Sequence, residues 1–224
     1  MHIHSGQKVD LTISGESEIK ICLGWDTDNR DIEIDGAAFL LSERGICEND
    51  EDFICNSQPI SRQQAVIHAE RGGQDKEVIT IKPALIPKDI HRIVITLSIY
   101  EGEARQHFFS QIVRPFLRII TEDRQEEWLR FDFGQGMASK TAVVIGELYQ
   151  QQGVWMFRTI AEGLNGGLIG ICNYFGMEVM EEIVPKPIRL AEVIYLAKIR
   201  SHRQPSIHLS HATTSKGRIL RETN

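Results

Sequence analysis

The feature that most constrains the fold of this chain is a two-residue alternation of apolar and polar side chains. It runs through residues 9–13, 19–25, 93–99, 129–133 and 155–159. Alternation of this kind places one face of a β-strand on a core and the other face toward water. Polar clusters that favour turns separate these runs, and helical periodicity is scarce before residue 165. The sequence therefore predicts a mainly β protein that folds as an antiparallel two-sheet β-sandwich.

Two helices are predicted toward the carboxyl-terminal end of the chain. The first covers residues 167–175 and ends at Gly176, a residue type that suits the left-handed conformation after a helix. After a proline-containing break at residues 185–187, residues 188–200 form the second helix, and most of its circumference is apolar. Because such a helix is seldom left in water, we expect it to pack against the sandwich, a second copy of the chain or another partner.

These patterns divide the chain into a sandwich domain, residues 1–178, and an extension, residues 179–224. The chain has a formal net charge of −6, yet residues 186–224 hold eight Lys and Arg against two Asp and Glu. An acidic body repels phosphate backbones, so no nucleic-acid partner is expected, whereas the basic tail suits an acidic membrane surface. No apolar run approaches the roughly 20 residues that span a bilayer, and the first residues lack a secretory signal, which predicts a cytoplasmic protein.

The densest group of candidate ligands follows the strand predicted at residues 19–25. Five carboxylates and an amide oxygen occur within ten residues, namely Asp26, Asp28, Asn29, Asp31, Glu33 and Asp35. Oxygen-rich sets of this kind suit hard cations such as Ca²⁺. The loop is not an EF-hand, because Arg30 occupies the fifth position and Ala37 the twelfth. In a β-sandwich a second loop can complete such a site, and Asp75 and Glu77 are the candidates.

The sequence thus predicts a metal site, and it leaves two other interpretations of these residues open. The predicted ligands are Asp26, Asp28, Asp35, Asp75 and Glu77. In one alternative, the loop is a solvated acidic turn whose charge is offset by neighbouring basic side chains. In the other, the carboxylates serve a metal-assisted hydrolase.

Other motifs point away from catalysis. The glycines of residues 163–170 follow a strand and open a helix, but their spacing matches neither dinucleotide-binding nor phosphate-binding loops, so they indicate a tight turn. The sequence contains no nucleophile elbow, zincin motif or Cys/His pair of known spacing. The four cysteines are too sparse for a disulfide framework, and Cys22 and Cys172 lie in apolar runs typical of buried thiols. No catalytic residue is predicted, and a binding or scaffold protein is favoured over an enzyme.

Several short segments of the sequence, none of them specific alone, follow one another in an informative order. They are Gly24-Trp25-Asp26, Ile34–Leu41, residues 50–59, Thr141-Ala142, residues 146–149, residues 153–157 and Tyr174-Phe175-Gly176. In this order and spacing, residues 5–178 resemble the TerD family of bacterial tellurium-resistance and stress proteins. The extension matches nothing in the basic family domain.

The resemblance implies a cytoplasmic β-sandwich whose loops bind calcium, and partners among other stress-response or tellurium-resistance proteins. It implies no reaction. Asp26 and Asp35 match acidic positions of the family, but the second acidic loop, residues 68–77, is shortened and carries Lys76 in place of an aspartate. We therefore expect one weak calcium site or none, a binding or scaffold role in the stress response, and self-association through residues 188–200.

Overall fold

A computed structural model describes residues 1–11, 17–121, 127–179 and 199–200 of the chain. Within these ranges the chain forms thirteen β-strands and two α-helices. The strands are β1 (Lys8–Asp10), β2 (Ile19–Asp26), β3 (Ile34–Leu41), β4 (Phe53–Ile54), β5 (Val66–Glu70), β6 (Glu77–Ile81), β7 (Arg92–Ile99), β8 (Val113–Thr121), β9 (Glu127–Asp132), β10 (Ala142–Gln151), β11 (Val154–Leu164), β12 (Glu178–Val179) and β13 (Ile199–Arg200). The helices are α1 (Gly102–Arg105) and α2 (Gly167–Tyr174).

Two antiparallel sheets build the body of the protein, as the alternation predicts. Sheet I has six strands in the order β1-β11-β10-β7-β3-β4, and sheet II has five in the order β5-β6-β2-β8-β9. Ile19, Ile21 and Leu23 of β2 all point into the space between the sheets and are fully buried. They meet residues of sheet I such as Ile95 and Leu148 in one hydrophobic core. The mainly β sandwich is therefore confirmed.

A second, smaller core lies on the outer face of sheet I beneath α2. The Phe39 ring of β3 contacts the rings of Phe53 and Phe175, with centroid distances of 4.8 and 5.0 Å. The helix predicted at residues 167–175 is thus confirmed. It ends with Gly176 at a φ of 74°, and the next amide, that of Met177, donates to the Cys172 carbonyl at 2.9 Å. None of the helices in the described ranges is long and apolar enough to cross a membrane.

The amino-terminal segment joins the two sheets along one edge of the sandwich. The Ile3 amide donates to the Arg130 carbonyl of β9 at 3.0 Å, and the Arg130 amide donates to the Met1 carbonyl at 2.8 Å. A few residues later, β1 pairs with β11 in sheet I. Ile3 is only 5% exposed and belongs to the main core. The segment therefore covers the edge strand of sheet II and then extends sheet I.

The extension differs in one respect from the prediction. Residues 199 and 200, expected at the end of the second helix, form β13, which pairs antiparallel with β12. Their backbone groups find partners on a neighbouring strand, and this pairing replaces the hydrogen bonds of a final helical turn. Residues 188–198 of the predicted helix lie outside the described residues.

Replacing Ile3 by Ala should lower the free energy of unfolding by about 2 kcal/mol or more, because a buried isoleucine loses three carbons and leaves a gap in the core. Urea denaturation of the full chain measures this change. The matched control is His2→Ala, which alters a neighbouring side chain that is 67% exposed and should leave the midpoint nearly unchanged. Equal midpoints for all three proteins would show that the amino-terminal segment adds no stability.

Candidate functional site

The predicted ligand residues lie at one end of the sandwich, formed by residues 24–36 and 70–77 and here called the acidic end. Glu77, at the start of β6, pairs with Leu23 near the end of β2, and the Lys76 amide donates to the Leu23 carbonyl at 2.8 Å. The two loops that the sequence proposed as halves of one site are therefore neighbours.

Glu77 is the most buried carboxylate of the acidic end, and it links the two sheets. Its Oε2 accepts the backbone N–H of Gly36 on β3 at 2.7 Å, although Gly36 belongs to sheet I and Glu77 to sheet II. The same oxygen lies 3.0 Å from Nε2 of the buried His68. A Cβ on residue 36 would run into the Glu77 carboxylate, so only glycine permits this approach. Glu77 is thus held by groups of the chain itself.

Asp35 is half-buried and lies close to other negative charges. Burial and, after it, the negative charges of Glu77 and Glu33 together raise its pKa to about 6, and His68 opposes the shift. The ionised form of Asp35 is therefore less stable in the folded protein than in the unfolded chain. Of the five predicted ligands, the structure brings Asp35 and Glu77 close to each other.

Asp75 is paired with an arginine on the outer face of sheet II. Arg118 of β8 donates through Nε to Oδ1 at 2.9 Å and through Nη2 to Oδ2 at 2.5 Å. This pair raises the pKa of Arg118, while burial and then the charge of Asp75 raise the pKa of the adjacent Cys22 thiol to about 11. Both oxygens of Asp75 are committed to a guanidinium group.

Asp26 has a similar partner in a more exposed setting. Nη2 of Arg114 donates to Oδ2 of Asp26 at 2.7 Å, and both side chains are largely exposed. Arg114 has a φ of 49°, a left-handed conformation that is uncommon outside glycine. Asp28 is exposed on the loop after β2.

The predicted ligands consequently do not converge on one point. In the part of the chain that the structure describes, no group of three or more His, Cys, Asp and Glu side chains is placed to hold a metal ion. Asp75 and Asp26 face guanidinium groups, and Glu77 faces a backbone amide and an imidazole. These residues do not form the oxygen cage that calcium requires. Whether the chain binds calcium stays a prediction.

Sequence reasoning missed the arginines. Arg118 and Arg114 lie about 90 residues after the loop that follows β2, and only the pairing of β2 with β8 brings them there. The sequence signal was a single arginine at position 118 within an apolar run, which periodicity alone does not connect to Asp75. Register between distant strands is the missing information.

The glycine cluster forms the tight turn that the sequence indicates, and an unpredicted carboxylate secures it. Oε1 of Glu103 accepts the Thr141 hydroxyl at 2.6 Å and the Gly166 amide at 2.5 Å, and Thr141 Oγ1 accepts the Gly167 amide at 3.1 Å. Burial alone would raise the pKa of Glu103, but the hydrogen bonds from Thr141 and Gly166 outweigh it and lower the pKa. Glu103 thus satisfies backbone donors at the start of α2.

A concave surface of about 350 Å³ lies elsewhere, on the outer face of sheet I beside α2. Its apolar lining includes Leu41, Val94 and Phe175. The buried carboxylate of Glu147 is 2.7 Å from Nη2 of Arg158. The lining of this surface therefore combines an ion pair with apolar side chains.

The described residues thus define a two-sheet β-sandwich whose charged loops meet at one end. A family model described as "TerD domain" matches residues 1–175, and the chain belongs to the TerD-domain family. General stress protein 16U of Bacillus subtilis (strain 168) is 35% identical over 185 residues, covering 78% of this chain and 96% of that protein. Tellurium resistance protein TerD of Serratia marcescens is 32% identical over 185 residues, with the same two coverages of 78% and 96%.

A solved structure shares the fold. The structure of a TerD homologue from Streptomyces coelicolor A3(2) superimposes with a TM-score of 0.55 and 16% identity, covering 69% of this chain and 94% of the homologue. At this identity the likeness shows the fold alone. The resemblance to the TerD family is therefore confirmed by both sequence and fold.

Asp35→Asn should stabilise the protein at neutral pH. The pKa of Asp35 is about 6 in the folded chain against an ordinary 3.8, so the wild type loses stability as the pH rises from about 4 through about 6. Asparagine does not titrate, so the variant should have the higher urea midpoint above about pH 7, and the difference should vanish below about pH 4. Asp28→Asn, on the same loop but exposed, is the control. An Asp35→Asn midpoint at or below that of the wild type at every pH would contradict this assignment.

Proposed function

We propose that this chain acts in the response to tellurite and to general stress, as a binding or scaffold protein rather than as an enzyme. Membership of the TerD-domain family and the names of its relatives support the biological setting. The observation that carries the non-catalytic role is the state of the acidic end, where Asp26, Asp75 and Glu77 are each held by donors of the chain. Side chains held in this way fix the position of loops and strands, whereas a catalytic carboxylate must reach a substrate. A cytoplasmic location and partners among other stress-response proteins belong to this proposal.

The metal-assisted hydrolase is the less favoured alternative, and it depends on Asp35. A carboxyl group with a pKa near 6 is common at catalytic sites, because it can exchange protons near neutral pH. Metal-assisted hydrolysis also needs several ligands around an ion with an open position. Among the described residues no group of three such ligands is assembled. The perturbed pKa of Asp35 has a sufficient cause in burial beside Glu77.

Growth under tellurite tests the proposed setting. A bacterial strain lacking this protein should be inhibited at a lower tellurite concentration than its parent, and the full chain supplied in trans should restore growth. Asp35→Asn should restore growth as well as the wild type, because a binding or scaffold role does not require this carboxylate to exchange a proton. Gly36→Val, which forces a side chain into the Glu77 carboxylate, is the negative control.

Two results would contradict the proposal. Equal growth of the deletion strain and its parent under tellurite and under oxidative stress would remove the stress role. Turnover of 4-nitrophenyl phosphate by the purified chain in the presence of divalent metal, with loss of that turnover in Asp35→Asn, would support the hydrolase instead.

The extension is proposed to supply a packing surface for self-association or for docking on the sandwich. Residues 188–198 are largely apolar, and burying each large apolar side chain is worth roughly 1.5–3 kcal/mol. The basic charge of residues 186–224 would steer such an association with the acidic body or with an acidic membrane surface.

Deleting residues 186–224 should lower the melting temperature or the oligomeric mass, because the deletion removes the apolar segment and its contacts. Sedimentation velocity and thermal melting measure the two outcomes. Deleting only residues 201–224 is the matched control, since it removes four of the eight basic residues and keeps the apolar segment. Unchanged mass, melting temperature and solubility after the longer deletion would show that the segment neither docks nor assembles.

A further inference from the structure

Two of the predicted ligands lie against guanidinium groups that the chain itself supplies. Asp75 pairs with Arg118 in the middle of β8, and Asp26 pairs with Arg114 near the start of the same strand. Strand β8 of sheet II therefore places one arginine side chain beside each of the two acidic loops. Both cations are arginines, which stay charged at any physiological pH.

The Asp75–Arg118 pair is the more strongly organised of the two. Two parallel N–H···O bonds match the fork of the guanidinium to the two carboxylate oxygens, and the side chains are 18% and 21% exposed. Arg118 also lies 3.8 Å from Glu127 on β9, so its position is fixed by groups on both sides. An ion that removed Asp75 from this pair would leave a largely buried guanidinium with only its more distant carboxylate, which is unfavourable.

The Asp26–Arg114 pair likewise gives a carboxylate an arginine as its partner, but at a more exposed place. Its Nη2···Oδ2 distance is 2.7 Å, and the Arg114 side chain is 79% exposed. Exposed ion pairs are weak, because water and salt screen the attraction between the charges. Even so, the pair puts a positive charge beside Asp26, where a divalent cation would have to bind.

We propose that Arg118 and Arg114 are built-in counter-cations of the acidic end, which neutralise Asp75 and Asp26 and make the folded state independent of calcium. A hard cation takes six to eight oxygens, and this chain directs both oxygens of Asp75 and one of Asp26 to arginine instead. The two arginines thus lower the affinity of the acidic end for a hard cation by occupying its carboxylates. This inference concerns metal dependence and does not rest on the proposed function.

The test compares calcium responses of the full chain and of Arg118→Gln. The wild type should have the same melting temperature in EGTA and in millimolar calcium. Arg118→Gln should melt lower than the wild type in EGTA, because Asp75 loses its counter-charge, and calcium should raise its melting temperature. Calorimetric titration should show calcium binding on the order of tenfold tighter in Arg118→Gln than in the wild type, since affinity follows the number of free charged ligands.

Two further variants test whether the calcium response arises from the Asp75–Arg118 ion pair. In the double variant Arg118→Gln/Asp75→Asn, the calcium response should disappear if freeing Asp75 is its cause. Arg44→Gln removes one positive charge from the loop between β3 and β4, outside the acidic end, and should leave calcium binding unchanged. A gain equal to that of Arg118→Gln in this control would show that net charge alone is responsible, and would overturn the inference.

Two further results would overturn the inference, one in the wild type and one in a second arginine variant. A wild-type chain stabilised by calcium as much as Arg118→Gln would overturn the inference, because the arginines would then not exclude the ion. If Arg118→Gln does not fold, Arg114→Gln gives the same comparison at Asp26, where the exposed arginine can be removed without disturbing the core. Absence of any gain in calcium affinity in Arg114→Gln would then overturn it.

Discussion

The buried carboxylate of Glu77 joins the two sheets of the sandwich, and the arrangement of the acidic end depends on it. A charged group so far from water is tolerated only with close polar partners, and the Gly36 amide and the His68 imidazole supply them. Because the amide belongs to β3 and the carboxylate to β6, this hydrogen bond connects the two sheets directly at this end. It also holds Asp35, the residue before Gly36, beside a second negative charge. The raised pKa of Asp35 is therefore a consequence of the way the sheets are joined.

The fold could be predicted from sequence wherever a strand has one buried face and one solvent-exposed face. This holds for β2, whose inward residues alternate with outward ones. It fails for β3, which reads as the nearly continuous apolar run Ile34–Leu41. The reason is that sheet I is covered on both faces, by sheet II on the inside and by α2 on the outside, so Phe39 is as buried as Leu40. In such a strand, periodicity carries no information about which face is which.

The acidic end could be predicted only in part, and the limit has a physical origin. Asp35 and Glu77 each lie at the start of a strand, which the sequence indicates, but β3 belongs to sheet I and β6 to sheet II, so their proximity depends on how the two sheets pack. The partners of Asp75 and Asp26 come from β8, whose register against β2 is set by long-range packing. Without that register, a count of carboxylates overstates the negative charge of this end. In the structure, Asp26 and Asp75 are in separate ion pairs with arginines, and they do not share one bound cation site.

The two arginine–aspartate pairs are not equivalent, because they differ in burial and in the number of hydrogen bonds. The Asp26–Arg114 pair is exposed and therefore screened by salt, whose Debye length is about 8 Å at physiological ionic strength. The Asp75–Arg118 pair is largely buried, doubly hydrogen-bonded and anchored within a sheet, so salt weakens it much less. Glu77 fixes the start of β6 on the same side. We therefore expect added salt or a bound partner to change the conformation of the loop that follows β2 first. The loop that carries Asp75 should change less, because its ion pair is buried and doubly hydrogen-bonded.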